Sequence, residues 1–307
     1  MLDKYTEKKK KNQHTARFTE KNVSEKTQKR ICECGSWLQC LATKELDKMK
    51  IHQANFCKNR FCPFCAWNKA KKDAMKIGVT MEYIAKEHGK KFIFLTLTAP
   101  NVRGEDLGEE ITQFNEAFKR LMKLDAVVQV NKGYIRKLEI TYSEKRKDYH
   151  IHFHCVIAVN KSYFVSRDYI KQNDWLEMWR HSKRDDSITQ VDVRKVRMND
   201  SGEGIAEFAK YPAKDEDYTA TQEVFDMFYK ALKGRQVITY NGLFKDANAK
   251  YKAGELDHYK IADKTEYFYM LLHRWGNGQY IENSRRELEE DEKMYYSQGQ
   301  QEEIQID

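Results

Sequence analysis

Tyr149-His150-Ile151-His152-Phe153-His154-Cys155-Val156-Ile157-Ala158-Val159 alternates histidine with other residues and then turns wholly apolar. On a β-strand, side chains at i and i+2 share a face. The alternation therefore puts His150, His152 and His154 on one face, and Ile151, Phe153 and Cys155 on the other. Neighbouring histidines on that face are roughly 6.6 Å apart along the strand, close enough for two imidazoles to reach one ion. All three span roughly 13 Å, too far for a single ion. The spacing alone admits either His150/His152 or His152/His154 as the ligand pair. Imidazole ligates Mn²⁺, Zn²⁺ and other divalent ions. Glu139, in the preceding stretch Leu138-Glu-Ile-Thr-Tyr142, is the candidate third ligand, and its carboxylate suits a hard cation.

Working outward, Tyr134–Tyr142 reads as a strand joined to the histidine strand by the charged hairpin 143–148. Phe92-Ile-Phe-Leu-Thr-Leu-Thr98 is a dense run of β formers ended by Pro100. Val191–Val196 suggests a fourth strand. Helical periodicity appears over 68–87, over 107–124 through Ile111, Phe114, Phe118 and Leu121, and over 169–179. Helices inserted between hairpin-joined strands predict an α+β domain with an antiparallel central sheet flanked by helices. The part after Asp217 reads as mostly helical, turning aromatic and mixed around 267–272.

A second constellation is Ile205-Ala-Glu-Phe-Ala-Lys-Tyr-Pro-Ala-Lys214. Glu207 and Tyr211, four apart, share one face of a helix expected over 205–211. Pro212 disfavours helical geometry at Tyr211 and puts its hydroxyl near the helix end. Lys210 and Lys214 flank it. A phenol is a weak nucleophile at neutral pH, with a pKa of about 10. Neighbouring cations favour its phenolate.

The chain has seven cysteines, six of them between Cys32 and Cys65. Clustering of this kind in a reducing compartment points to metal rather than disulfides. Cys57, Cys62 and Cys65 have zinc-knuckle spacing, and Cys34, followed by Gly35, is the preferred fourth ligand of a structural Zn²⁺. Lys58, Arg60, Lys71 and Lys72 make the segment basic, and Phe56, Phe61, Phe64 and Trp67 interleave it, as in nucleic-acid-binding surfaces.

The 307 residues carry a formal net charge of +8, consistent with a polyanionic partner. Residues 1–30 have a net charge of +6 without apolar periodicity, and 286–307 a net charge of −6, so both read as solvated, disordered tails. Between them the chain divides into a Cys-rich segment over 31–67, a catalytic core over 68–217 and an extension over 218–285. No apolar run of about 18 residues exists to cross a membrane, and no secretory signal is present, so the expected location is cytoplasmic.

Together these motifs resemble the plasmid rolling-circle replication initiators, the Rep branch of the HUH endonucleases. The likeness rests on Phe94-Leu-Thr-Leu-Thr-Ala-Pro-Asn101, His150-Ile-His-Phe-His154, Glu207-x-x-Lys-Tyr-x-x-Lys214, the cysteine segment 56–67 and Asn241-Gly-Leu-Phe-Lys-Asp246. It implies a ferredoxin-like (RRM-like) nuclease fold, with His152 and His154 as the pair holding Mn²⁺ or Mg²⁺. It implies that the protein binds the double-strand origin of plasmid DNA. Tyr211 would nick one strand, leaving a 5′-phosphotyrosine and a free 3′-OH, and Glu207 would activate water at termination. Host helicase and DNA polymerase are implied partners, since the chain carries no phosphate-binding loop of its own. A homo-oligomer is compatible with this reading, and the 218–285 extension is a candidate for origin binding. Competing readings are a relaxase or transposase of the same superfamily, a zinc-dependent DNA-binding regulator without catalysis, and an unrelated metallohydrolase.

Overall fold

The computed structural model describes residues 2–196, 215–260 and 263–299. The chain forms two compact units. The first comprises Met1–Lys72 with Lys260–Asp307, and the second Asp73–Tyr259. Among the described residues, no helix is long and apolar enough to cross a membrane.

The first unit opens with helices α1 (Asp3–Thr19) and α2 (Glu25–Glu33) where a solvated tail is expected from the sequence. The reason is physical. The buried face of α1 is Tyr5, Lys9, Asn12, Thr15, Ala16 and Thr19, so its helical periodicity is carried mostly by polar residues. Strands β1 (Trp37–Ala42) and β2 (Met49–Ala54) follow. Two strands from the C-terminal part, β8 (Tyr269–Gly276) and β9 (Gln279–Glu287), complete an antiparallel sheet in the order β2-β1-β8-β9. The stretch expected to be acidic tail instead contains the end of β9 and helix α10 (Glu290–Gly299). Leu288 and Tyr296 are buried there, and Arg286 forms a two-pronged ion pair with Glu292. A net-charge argument overlooks those two apolar anchors.

Helix α3 (Pro63–Glu87) runs from the first unit into the second. The second unit then follows the order β3 (Lys90–Thr98), α4 (Leu107–Leu121), the short α5 (Asp125–Val130), β4 (Gly133–Ser143), β5 (Asp148–Asn160), α6 (Gln172–Lys183) and β6 (Val191–Lys195). Helices α7 (Asp215–Tyr218), α8 (Gln222–Leu232) and α9 (Leu243–Lys252) follow, with strand β7 (Ile238–Gly242) between the last two. The sheet order is β6-β3-β5-β4-β7, with every neighbouring pair antiparallel. Its first six main elements form the β-α-β-β-α-β ferredoxin-like arrangement, and β7 adds a fifth strand at the β4 edge. The expected α+β antiparallel fold is thus present.

One sheet face is sealed by α4 and α6. The Phe114 ring meets Phe153 edge-on at 5.2 Å and Trp179 at 5.4 Å, and the Trp179 indole donates to Thr98 O at 2.7 Å. Arg136 is buried on the same face, its guanidinium 4.2 Å from the Phe153 ring centre. This packing fixes the register that turns the histidines outward from it, because a one-residue slip would exchange the two faces.

At the β4 edge, Gly133 pairs with Gly242. A Cβ on Gly242 would sit 2.7 Å from Lys132 O, and its φ of +51° disfavours any side chain. Gly242→Ala should therefore cost about 2–4 kcal/mol of stability. A urea midpoint unchanged from wild type would contradict this.

Candidate active site and metal centre

The histidine face is built by three strands in register. Strand β5 supplies His150, His152 and His154. Their partners across β4 are Thr141, Glu139 and Lys137. On the other side, Thr98 pairs with His152 and Thr96 with His154. Directly paired residues in antiparallel strands point to the same side, so eight polar side chains gather on one sheet face. Thr96, Thr98 and Lys137 are additions that the sequence reading missed. The i, i+2 repeat in Leu95-Thr-Leu-Thr98 is the signal that carries the two threonines.

Each histidine is held differently. His150 Nε2 hydrogen-bonds the Thr98 hydroxyl. His154 donates from Nε2 to Glu139 Oε2 at 2.9 Å, and its Nδ1 lies 3.2 Å from Thr96 Oγ1. His152 Nδ1 is buried and has no hydrogen-bond partner. The His150 and His152 ring centres are 4.1 Å apart, and those of His152 and His154 are 5.9 Å apart and nearly parallel. Phe94 stacks on the outer side of His154 at 5.6 Å.

The electrostatics favour a cation here. Burial alone would raise the Glu139 carboxyl. The hydrogen bond from His154 and the charge of Lys137, 3.8 Å away, outweigh it and hold the carboxyl at about 2. Burial lowers His152 to about 4, with the charge of His150 adding to the effect. Glu139 is thus an anion and His152 a neutral base at physiological pH. Two ligand atoms bound cis on an octahedral ion, each at about 2.1 Å, would lie about 3 Å apart. The His154–Glu139 separation of 2.9 Å is of that order, and His152 is the residue directly paired with Glu139 across the strands.

The depressed His152 value has a consequence for stability. Its folded value lies below the ordinary 6.5, so the metal-free native state resists a proton that the unfolded chain accepts. Stability should fall as pH drops from 6.5 towards 4. The Glu139 contribution is lost only at lower pH, from the ordinary 4.5 downward. Urea midpoints of metal-free His152→Gln should decline less over pH 6.5–4 than those of wild type; parallel curves would refute the assignment.

Residues Glu207, Lys210, Tyr211 and Lys214, with the helix expected over 205–211, lie outside the described residues.

The first unit holds a second centre. Cys34, Cys57, Cys62 and Cys65 are all buried, and their sulfurs lie within 4.8 Å of one another. The closest separations are 3.5 Å for Cys34–Cys65 and Cys34–Cys62, and 3.6 Å for Cys57–Cys65. A disulfide needs about 2.05 Å. Four sulfurs around one Zn²⁺ at about 2.3 Å would sit about 3.8 Å apart. Backbone amides point at them: Lys58 N–H donates to Cys65 Sγ at 3.2 Å, and Cys57 N–H to Cys34 Sγ at 3.4 Å. Cys57 is pushed down by hydrogen bonds from Cys34 and Cys62, while Cys34 is pushed up by Cys57. A buried four-cysteine cluster of this kind can hold a metal ion. Gly35, with φ +67°, makes the tight turn beside Cys34. Cys40 lies on β1 and Cys32 is exposed.

Of the basic residues expected to meet DNA, Lys58 and Lys72 are exposed and Arg60 is half-buried. Lys71 is buried, its ammonium 4.6 Å from the Trp67 ring centre. Its place on α3 turns it onto that ring rather than to solvent, and Lys69, also exposed, is the better surface cation on this helix.

The family model described as Replication protein (Rep_1) matches residues 48–279. A "Protein rep" from Staphylococcus aureus is 49% identical over 218 residues, covering 71% of this chain and 95% of that protein. A "Protein rep" from Bacillus amyloliquefaciens is 33% identical over 255 residues, covering 76% of this chain and 75% of its own length. Another, from Streptococcus pneumoniae, is 32% identical over 250 residues, covering 78% and 77%. No solved structure matches.

Proposed function

This chain belongs to the Rep_1 family of replication proteins, and from that premise we propose that it initiates rolling-circle replication by nicking plasmid origin DNA. The observation that carries the nuclease reading is the polar sheet face. On it, an ionised Glu139 is hydrogen-bonded to His154 and pairs across the strands with His152, whose Nδ1 has no hydrogen-bond partner. His152, His154 and Glu139 would hold Mn²⁺ or Mg²⁺. Once bound, the ion supplies positive charge that polarises a phosphodiester and orients it.

The remaining work falls to side chains of this chain. The Tyr211 oxygen attacks phosphorus and loses its proton. The bond from phosphorus to the 3′ oxygen breaks, and that oxygen takes up a proton to become the 3′-OH primer. The 5′ phosphate stays on tyrosine, so the bond energy is retained for rejoining without ATP. Lys210 and Lys214 favour the phenolate and the anionic phosphate. Glu207, four residues before Tyr211, is placed by sequence to deprotonate water for the terminating cleavage. The four-cysteine centre would hold structural Zn²⁺, and exposed Lys58, Lys72 and Lys69 around it would meet the DNA backbone. Double-stranded origin, host helicase and DNA polymerase are the partners of such an enzyme, and its place is the cytoplasm.

Nicking of a single-stranded origin oligonucleotide tests the reading. Wild type should cut only with Mn²⁺ or Mg²⁺, and His152→Ala should cut at least about 100-fold more slowly. Metal-independent cutting, or full activity in His152→Ala, would overturn it.

A further inference from the structure

The four-cysteine loop is wrapped by polar side chains of an element that the nuclease chemistry does not use. Lys9 of α1 is only 2% exposed. Its ammonium donates to Cys34 O at 2.7 Å, to Cys32 O at 2.8 Å and to Asn12 Oδ1 at 3.2 Å. All three acceptors are neutral. A buried ammonium without a counter-anion is costly. Asn12, fully buried one turn further on, donates from Nδ2 to Ile31 O at 3.0 Å and to Cys62 Sγ at 3.2 Å. An amide donor aimed at sulfur gains most when that sulfur is a thiolate.

Four thiolates around one divalent cation carry a net charge of −2. That charge is the missing partner of Lys9. We propose that Lys9 and Asn12 form the outer shell of the cysteine metal centre, so that metal retention and docking of α1 onto the cysteine loop are one coupled event. The inference rests on the metal reading of the four cysteines and extends it. Here α1 is neither a tail nor a free DNA-binding arm, because its buried face holds the centre's counter-charge and a thiolate hydrogen bond. Both residues are positioning residues, since they touch sulfur and loop carbonyls rather than the metal.

The full chain can be loaded with Zn²⁺ or Co²⁺ and titrated against a chromophoric chelator. Lys9→Met and Asn12→Ala should each weaken metal binding about 10–100-fold. Lys10→Met, on the exposed side of α1, serves as the control and should not. Asn12→Ala keeps a strong helix former, so it should fold even where Lys9→Met does not. In the Co²⁺ form it should also shift the thiolate-to-metal charge-transfer band, which loosening of the helix alone would not do. Stripping metal from wild type should speed tryptic cleavage at Lys21, between α1 and α2. If wild type binds neither ion, the metal reading itself fails. If wild type binds but both variants match it in affinity and spectrum, the role given to Lys9 and Asn12 fails.

Discussion

Tyr211→Phe is expected to abolish strand cleavage, lowering the nicking rate by about 10⁴-fold or more, while leaving origin binding within about twofold of wild type. The substitution removes one oxygen and nothing else. The ring, the flanking Lys210 and Lys214 and the histidine face all remain, so affinity for DNA has no reason to change. What disappears is the only group in the proposal able to form the bond to phosphorus. Glu207→Gln should separate from it cleanly. The first cut needs no water and should proceed at near wild-type rate, but release of the finished strand should slow and covalent intermediate should accumulate. Gel-shift binding and single-turnover cleavage with labelled oligonucleotides read both variants. Residual cutting by Tyr211→Phe above one part in a hundred would point to a second nucleophile.

The second large effect concerns the cysteine centre. Apparent binding energies of structural zinc run to about 10–16 kcal/mol, of the order of a small domain's whole stability. Cys62 is buried against Cys34 and accepts the Asn12 hydrogen bond, so Cys62→Ser would remove one of the four proposed ligands. The cluster of Ile31, Leu38, Phe64, Leu271 and Tyr280 packs around those sulfurs. Calorimetry should show one of two transitions lowered by tens of degrees or lost, together with about one equivalent of zinc. The transition of the Asp73–Tyr259 unit should persist, because that unit has its own core around Phe114, Phe153 and Trp179. An unshifted scan, or unchanged zinc content, would remove the metal from the account.

The second unit was largely legible because its strands announce their faces. The His/apolar alternation of β5 and the run Phe92–Thr98 fix both period and facing, and Ile111, Phe114 and Phe118 mark the covering helix. Strand β7 escaped because five residues, Ile238–Gly242, are too short to show a period. Strands β8 and β9 were masked by their aromatic content, although Asn277-Gly278, both at positive φ, is the dipeptide that a tight hairpin demands. Helix α1 was illegible for a deeper reason. Hydrophobic periodicity detects apolar burial, and α1 buries Lys9 and Asn12 against carbonyls and sulfur. Those partners are set by the fold of the cysteine loop, 20 and more residues away, and no local pattern encodes them. Within the site, the i, i+2 rule gave the three histidines but could not choose between pairs. In the structure Thr98 hydrogen-bonds His150, and His152 Nδ1 has no hydrogen-bond partner.

The proposed reaction leaves a phosphotyrosine link at one residue, Tyr211. Wild-type protein incubated with Mn²⁺ and a single-stranded origin oligonucleotide, labelled at the scissile phosphate, should form an adduct that survives SDS. After nuclease trimming and proteolysis, mass spectrometry should find the labelled phosphate on the peptide containing Tyr211, attached through the 5′ side of the cut. A label on another residue, or cleavage with no covalent protein–DNA species, would contradict the account.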